Sequence, residues 1–404
     1  MANLVVNKNI LLVTCATKAI TLSTEEHHTF KLLEFPVRNS KFTKNTLGGE
    51  EDSRAASDTV SVVVAGDVSV CGRLIVLCTS DKLVTLWLVS DSSVLSRRLS
   101  ARVASKVRFM PSGQAIVLAD KAGDAYRFSV EKPHEEGKLL LGHLSMLLDI
   151  LVSPDEKYVI TCDRDEKIRV SKYPNTYTIH SYCLGHEEFI TGLSFLPNDN
   201  SVLISVSGDG TLRFWDYRRG SQLIVVDCSN DIYKEREVLK NSKLDDEGCT
   251  IPIKLITACK MDINSSLVCC CMSKILGCLV YRVCGVLENI TTNLVQILTL
   301  PAEPWDISLN SYQLWIIEPV EKEPLCIFLW DSECCQFVFC SEPKLLSILS
   351  QINSRWDLFQ GVIPTTILPQ LYKRKFDNLQ VYQERKKLRL SGICSSSCTN
   401  MSTH

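Results

Sequence analysis

The sequence has no apolar run approaching the roughly 18 residues that a membrane-spanning helix needs, so no membrane association is expected. Its first apolar stretch, Ile10 to Ala16, is short and gives way to polar residues, which argues against a secretory signal. It has no Cys-x-x-Cys pair among its nineteen cysteines. Cys269-Cys270-Cys271 and Cys334-Cys335 are adjacent runs in strand-like segments, and Cys394 and Cys398 have no second Cys/His pair nearby. Zinc wants two spaced pairs, so no metal site is expected; free cysteine packs as a small hydrophobe and fits a reducing compartment. There is no excess of either charge: Lys+Arg total 44 and Asp+Glu 46, a net charge of −2. Any contact with a polyanion must therefore be local. Among the eighteen glycines no GxGxxG or GxGxG occurs, and there is no Walker sequence, HExxH or GxSxG. What remains, 45% hydrophobic and 22% charged over 404 residues, is the balance of a globular chain of two or three domains or one large repeat array.

Repeats decide between those two. Leu141-Gly142-His143 is followed by Thr161-Cys162-Asp163-Arg164-Asp165, and Leu184-Gly185-His186 by Ser205-Val206-Ser207-Gly208-Asp209-Gly210 and Trp215-Asp216. A repeat of about 40–45 residues with a Gly-His start and a Trp-Asp end is the pattern of a WD-repeat propeller blade. Weaker copies follow the same spacing. Asp81 stands before Trp87 as Asp209 does before Trp215, Asp165 stands before Ser171 where the tryptophan is lost, and Trp330-Asp331 closes a late copy. Short β-rich runs bounded by turn residues fill the intervals. The expected fold is an all-β propeller of seven blades over residues 1–342, at roughly 4–56, 57–100, 101–140, 141–183, 184–230, 250–298 and 299–342.

Two polar insertions, about 38–57 and 231–248, read as mobile loops. From 343 to 390 the texture becomes helical and basic, and the Ser/Thr/Cys-rich residues 391–404 read as a disordered tail. Between Leu371 and Leu390 stand seven basic residues, Lys373, Arg374, Lys375, Arg385, Lys386, Lys387 and Arg389, against two acidic ones. Such a helix can neutralise phosphates without reading sequence.

The resemblance is closer than fold level. Leu141-Gly-His-Leu-Ser-Met-Leu-Leu-Asp149, Ser153-Pro-Asp and Asp163-Arg-Asp-Glu-Lys-Ile-Arg-Val170 resemble the non-catalytic WD-repeat subunit of eukaryotic tRNA guanine-N(7)-methyltransferase. Val117-Leu-Ala-Asp-Lys121 with Gly123-Asp124, Ser207-Gly-Asp-Gly-Thr-Leu-Arg213 and Phe376-Asp377-Asn378 carry it further, and the close match covers roughly residues 102 to 225.

The WD-repeat resemblance implies buried networks: His186, Ser205, Asp209 and Trp215 in one blade, and His143, Thr161 and Asp165 in the preceding one. These imitate a hydrolase triad in composition, but as buried polar groups they satisfy one another. The family resemblance implies no catalytic residue and no cofactor here, with S-adenosylmethionine on a separate catalytic subunit in a heterodimer. It implies an interface formed by Lys121, Arg164, Glu166, Lys167 and Arg169, tRNA contact through the basic tail, and a location in the nucleus, or in nucleus and cytoplasm both. The competing expectation is a general nuclear WD-repeat hub, for example a replication adaptor or a ubiquitin-ligase substrate receptor.

Overall fold

In the computed structural model the described residues are 2–7, 10–23, 30–34, 61–234, 250–287, 289–360 and 368–373, with Gln383, Lys386 and Lys387 beyond them. The chain forms two compact units, Met1–Leu368 and Pro369–His404. The first is a propeller of seven four-stranded antiparallel sheets, each built from consecutive strands. The blades cover residues 2–34, 63–99, 104–142, 147–183, 190–227, 253–299 and 306–339. Seven blades and their order agree with the repeat pattern. No described helix is long and apolar enough to cross a membrane.

Burial explains why the strands read as they do. Second strands such as Ile10–Cys15, Ala115–Asp120 and Ser265–Met272 are buried at every residue, because neighbouring blades cover both of their faces. Their sequences are accordingly continuous apolar runs rather than alternating ones. The outer strand Val94–Leu99 alternates instead, with Ser96 and Arg98 turned inward between exposed neighbours. The core is a set of layers between blades rather than one central mass. Between the fourth and fifth blades, for example, Ile160, Val170, Leu203 and Trp215 pack together. Each such Val, Leu or Ile stabilises the fold by about 1.5–3 kcal/mol through removal from water.

The first strands line the axis and are tied to one another by polar side chains. The Phe109 N–H donates to Asp67 Oδ2 at 2.7 Å, Leu193 N–H to Asp149 Oδ2 at 3.0 Å and Leu4 N–H to Asp306 Oδ2 at 2.7 Å. Arg108 adds a bidentate pair to Asp149, at 3.1 and 3.0 Å. Burial pushes the Asp149 carboxyl upward, but the Arg108 and Lys106 charges and the hydrogen bonds from Arg108 and the Leu193 amide together outweigh it and hold the group below its ordinary value. At Asp67 and Asp306 burial outweighs the amide hydrogen bonds and the neighbouring cations, and both carboxyls are raised.

Two segments differ from the sequence expectation. Asp231–Lys234, expected as the start of a loop, ends a helix, Cys228–Lys234, whose Cys228 and Ile232 are buried beside the sixth blade. The rest of that insertion, the insertion at 38–57 and the tail 391–404 lie outside the described residues. The helix Pro343–Asn353, expected as the start of a separate extension, buries Leu345, Ile348, Leu349 and Ile352 in the apolar layer shared by the last and first blades. The described cysteines are unpaired and most are buried; burial pushes the Cys15 thiol up to about 12. Among the described residues no His/Cys/Asp/Glu group is arranged to hold a metal ion.

Candidate partner interface

The fifth blade carries a complete buried network. His186 Nδ1 lies 2.8 Å from Asp209 Oδ2, and His186 Nε2 lies 2.7 Å from Ser205 Oγ. Trp215 Nε1 donates to the same Ser205 oxygen at 2.8 Å. A neutral imidazole protonated on Nδ1 satisfies every member: it donates to the carboxylate and accepts the serine proton. Burial lowers the His186 pKa against the opposing pull of Asp209. The Asp209 carboxyl is raised by burial but more strongly lowered by its hydrogen bond and charge contact with His186 and by Thr211, so it sits well below its ordinary value. The arrangement fixes a turn and leaves no nucleophile facing solvent. The turn itself needs Gly210, at φ +73°, where a Cβ would stand 2.3 Å from Ser229 Oγ.

The fourth blade uses a different carboxylate from the one expected. His143 Nδ1 meets Asp163 Oδ2 at 2.9 Å and its Nε2 meets Thr161 Oγ1 at 2.8 Å. Asp163, not Asp165, completes this network. The reason is side-chain length. In the fifth blade the residue at the strand end is Ser207, too short to reach the imidazole, whose hydroxyl instead donates to Glu188 O at 2.9 Å. In the fourth blade the same position holds Asp163, paired across the strands with Leu147 as Ser207 is with Ile190. Asp163 Oδ1 also accepts the Asp165 and Lys167 N–H groups, at 2.9 and 3.1 Å. One carboxylate thus pins the histidine and shapes the whole Arg164–Lys167 turn.

On that turn Glu166 adopts φ +65°, Lys167 is exposed, and Arg164 and Glu166 are half-buried. Lys121 is exposed on the corresponding turn of the third blade. That turn is shaped by Asp120 Oδ1, which accepts the N–H groups of Ala122, Gly123 and Asp124 at 2.8–2.9 Å. At Gly123, φ +111°, a Cβ would stand 2.6 Å from the carbonyl oxygens of His143 and Ser145, so this turn packs on the segment that leads into the fourth blade, and the Arg164 N–H donates to the Met146 carbonyl of that segment at 3.0 Å.

Arg169 is not the free guanidinium that its charge-rich surroundings suggest. Its Nε donates to Ser171 Oγ at 3.0 Å, one terminal nitrogen to the Gly142 carbonyl at 3.0 Å and the other to the Thr176 carbonyl at 3.1 Å. Ser171, the residue in the lost tryptophan's place, is fully buried, and Arg169 satisfies it. The counterpart in the fifth blade, Arg213, holds Thr211 Oγ1 at 3.0 Å and lies 3.5 Å from Asp209. Neither Asp163 nor Arg213 stands out in the sequence as a network residue. The shared Lys-Ile-Arg and Thr-Leu-Arg steps carry the signal for the arginine; for the aspartates the repeat spacing points to Asp165, and nothing in Asp-Arg-Asp shows that Asp163 is the one that reaches the imidazole.

Of the basic tail, Lys373, Lys386 and Lys387 are described and exposed, while Arg374, Lys375, Arg385 and Arg389 lie outside the described residues.

Residues 129–321 match the family model of the tRNA methyltransferase TRM82 WD40 domain. The chain is 32% identical to the tRNA (guanine-N(7)-)-methyltransferase non-catalytic subunit wdr4 of Danio rerio, across 86% of this chain and 81% of that one. It is also 32% identical to the WDR4 non-catalytic subunit of Homo sapiens, across 80% and 76% respectively. The wuho subunit of Drosophila mojavensis is 50% identical over 131 residues, 32% of this chain and 34% of that one. Among solved structures, the Cps50 (Swd1) β-propeller domain of Myceliophteria thermophila superposes with a TM-score of 0.59 at 12% identity, covering 80% of this chain and 94% of that one, which shows the fold alone. With a complete WD-repeat ring and relatives of this identity over most of its length, the chain belongs to the family of non-catalytic WD-repeat subunits of tRNA (guanine-N(7)-)-methyltransferase.

Proposed function

We propose that this propeller is the scaffold of a nuclear heterodimer that forms N(7)-methylguanosine in the variable loop of tRNA. The catalytic partner binds S-adenosylmethionine; this chain stabilises and orients that partner and adds surface for RNA. The observation that carries the reading is the pair of carboxylate-shaped turns at corresponding positions of the third and fourth blades, both held on the segment that joins those blades. They carry Lys121 and Lys167, both exposed, with Arg164 and Glu166 half-buried on the same turn as Lys167. Rigid charges of this kind set register and can couple to a partner's charges by about 1.5–7 kcal/mol when desolvated. Arg169 serves the interface from behind, by holding the Gly142 carbonyl at the end of the third blade, beside the segment that supports the turns.

The basic tail has a separate role: its cations neutralise phosphates and make RNA affinity fall with salt. The test is co-expression with the catalytic subunit. Lys121→Glu with Lys167→Glu should abolish co-purification while leaving the propeller folded. Lys386→Ala with Lys387→Ala should spare co-purification and flatten the salt dependence of tRNA binding, by about 0.9 in log–log slope for each duplex phosphate no longer neutralised. Full partner recovery by the first variant would remove these turns from the interface.

A further inference from the structure

At six of the seven junctions between blades the polypeptide itself crosses from one blade to the next. At the seventh it does not. The first blade is built only from residues 2–34 and the last only from 306–339, with no described strand exchanged between them. Among the described residues the ring is therefore shut there by non-covalent contacts. Leu4 N–H donates to Asp306 Oδ2 at 2.7 Å and Val6 N–H to Ser308 Oγ at 3.2 Å, beside an apolar layer that includes Leu11, Val13, Trp315 and Ile327.

The segment after the last blade enters this same layer. Leu345, Ile348, Leu349 and Ile352 of the helix Pro343–Asn353 pack into it, and the following turn adds Leu358 and Phe359. Two polar grips fix the segment to opposite sides of the junction. The Asn353 side chain accepts the Leu325 N–H at 3.1 Å and donates to the Leu325 carbonyl at 3.0 Å, on the last blade. Two residues further on, the Arg355 guanidinium lies over the Phe30 ring of the first blade, 5.6 Å from its centroid.

We propose that residues 343–359 are a strap across the junction of the last and first blades, and that releasing the strap opens the propeller at that junction first. A helix that merely filled a groove on one blade would need no grip on the other. The three aspartate-to-amide hydrogen bonds on the first strands supply an internal comparison. Leu4 sits at the strapped junction, whereas Phe109 and Leu193 sit at junctions that the chain itself crosses.

The experiment is hydrogen–deuterium exchange on the full chain, comparing the wild type with Ile348→Ala/Ile352→Ala and with Asn353→Ala/Arg355→Ala. The Leu4 and Val6 amides should exchange at least about ten-fold faster in both variants, while Phe109 and Leu193 keep their protection, as expected for local rather than global opening. Should the first variant fail to fold, the second leaves the apolar layer intact and gives the same comparison. Equal acceleration at all three aspartate-held amides, or unchanged protection at Leu4 and Val6, would overturn the proposal.

Discussion

Arg169 donates to the carbonyl of Gly142, the residue immediately before His143, and so ties the third strand of the fourth blade to the end of the third blade. The same guanidinium satisfies the buried hydroxyl of Ser171. An arginine from a run that carries the family resemblance is thus used inside the propeller.

Arg169→Leu should therefore destabilise the free propeller. It leaves Ser171 Oγ and two carbonyls without their donor, a loss of about 1–3 kcal/mol for a buried group left unsatisfied. Lys167→Ala, on the exposed side of the same turn, should stay within about 0.5 kcal/mol of wild type. Urea unfolding of both variants without partner checks this. Equal stability of the two would mean that the Arg169 hydrogen bonds add nothing to the fold.

Asp163→Ala should cost more than Asp165→Ala, although the spacing of the repeat pattern favours Asp165. Asp163 serves His143 and two turn amides together, so its removal should cost about 1–3 kcal/mol. Asp165→Ala keeps those bonds, and its effect should be the smaller. Thermal unfolding of the pair ranks them, and the reverse order would restore Asp165 to the network.

These residues also show how far the sequence alone reaches. Seven blades can be counted because turn residues and the doubly covered second strands recur at regular intervals, even where Gly-His and Trp-Asp are missing. The network in the fifth blade is legible because all four of its residues are present. The one in the fourth is not, since the choice between Asp163 and Asp165 depends on which side chain is long enough at a strand end. The helix Cys228–Lys234 is hidden by the charged run that follows it; only packing of Ile232 against the next blade identifies it. Arg169 looks like surface because two of its partners are backbone carbonyls, which no sequence displays.

The His186–Asp209 pair should make stability fall with acid. His186 is lowered from 6.5, so the unfolded chain takes up a proton first, and the pair's contribution is lost as pH drops below about 6.5. Asp209 is lowered from 3.8, so its contribution is present above that value and lost as pH falls further. Asp67 and Asp306, raised by burial, act with the opposite sign, so the difference between variants is the informative quantity. His186→Gln should narrow its stability gap to wild type between pH 7 and pH 5. Parallel profiles would show that His186 does not titrate on unfolding.

If this chain is a structural subunit whose chemistry lies in its partner, reconstitution should show it. Methyl transfer to tRNA is measured for this chain alone, for the catalytic subunit alone, and for the two together. This chain alone should neither transfer methyl groups nor bind S-adenosylmethionine, and the partner's activity should rise strongly once the propeller is added. Methyl transfer by the isolated chain, or a partner whose activity is indifferent to it, would contradict the scaffold role.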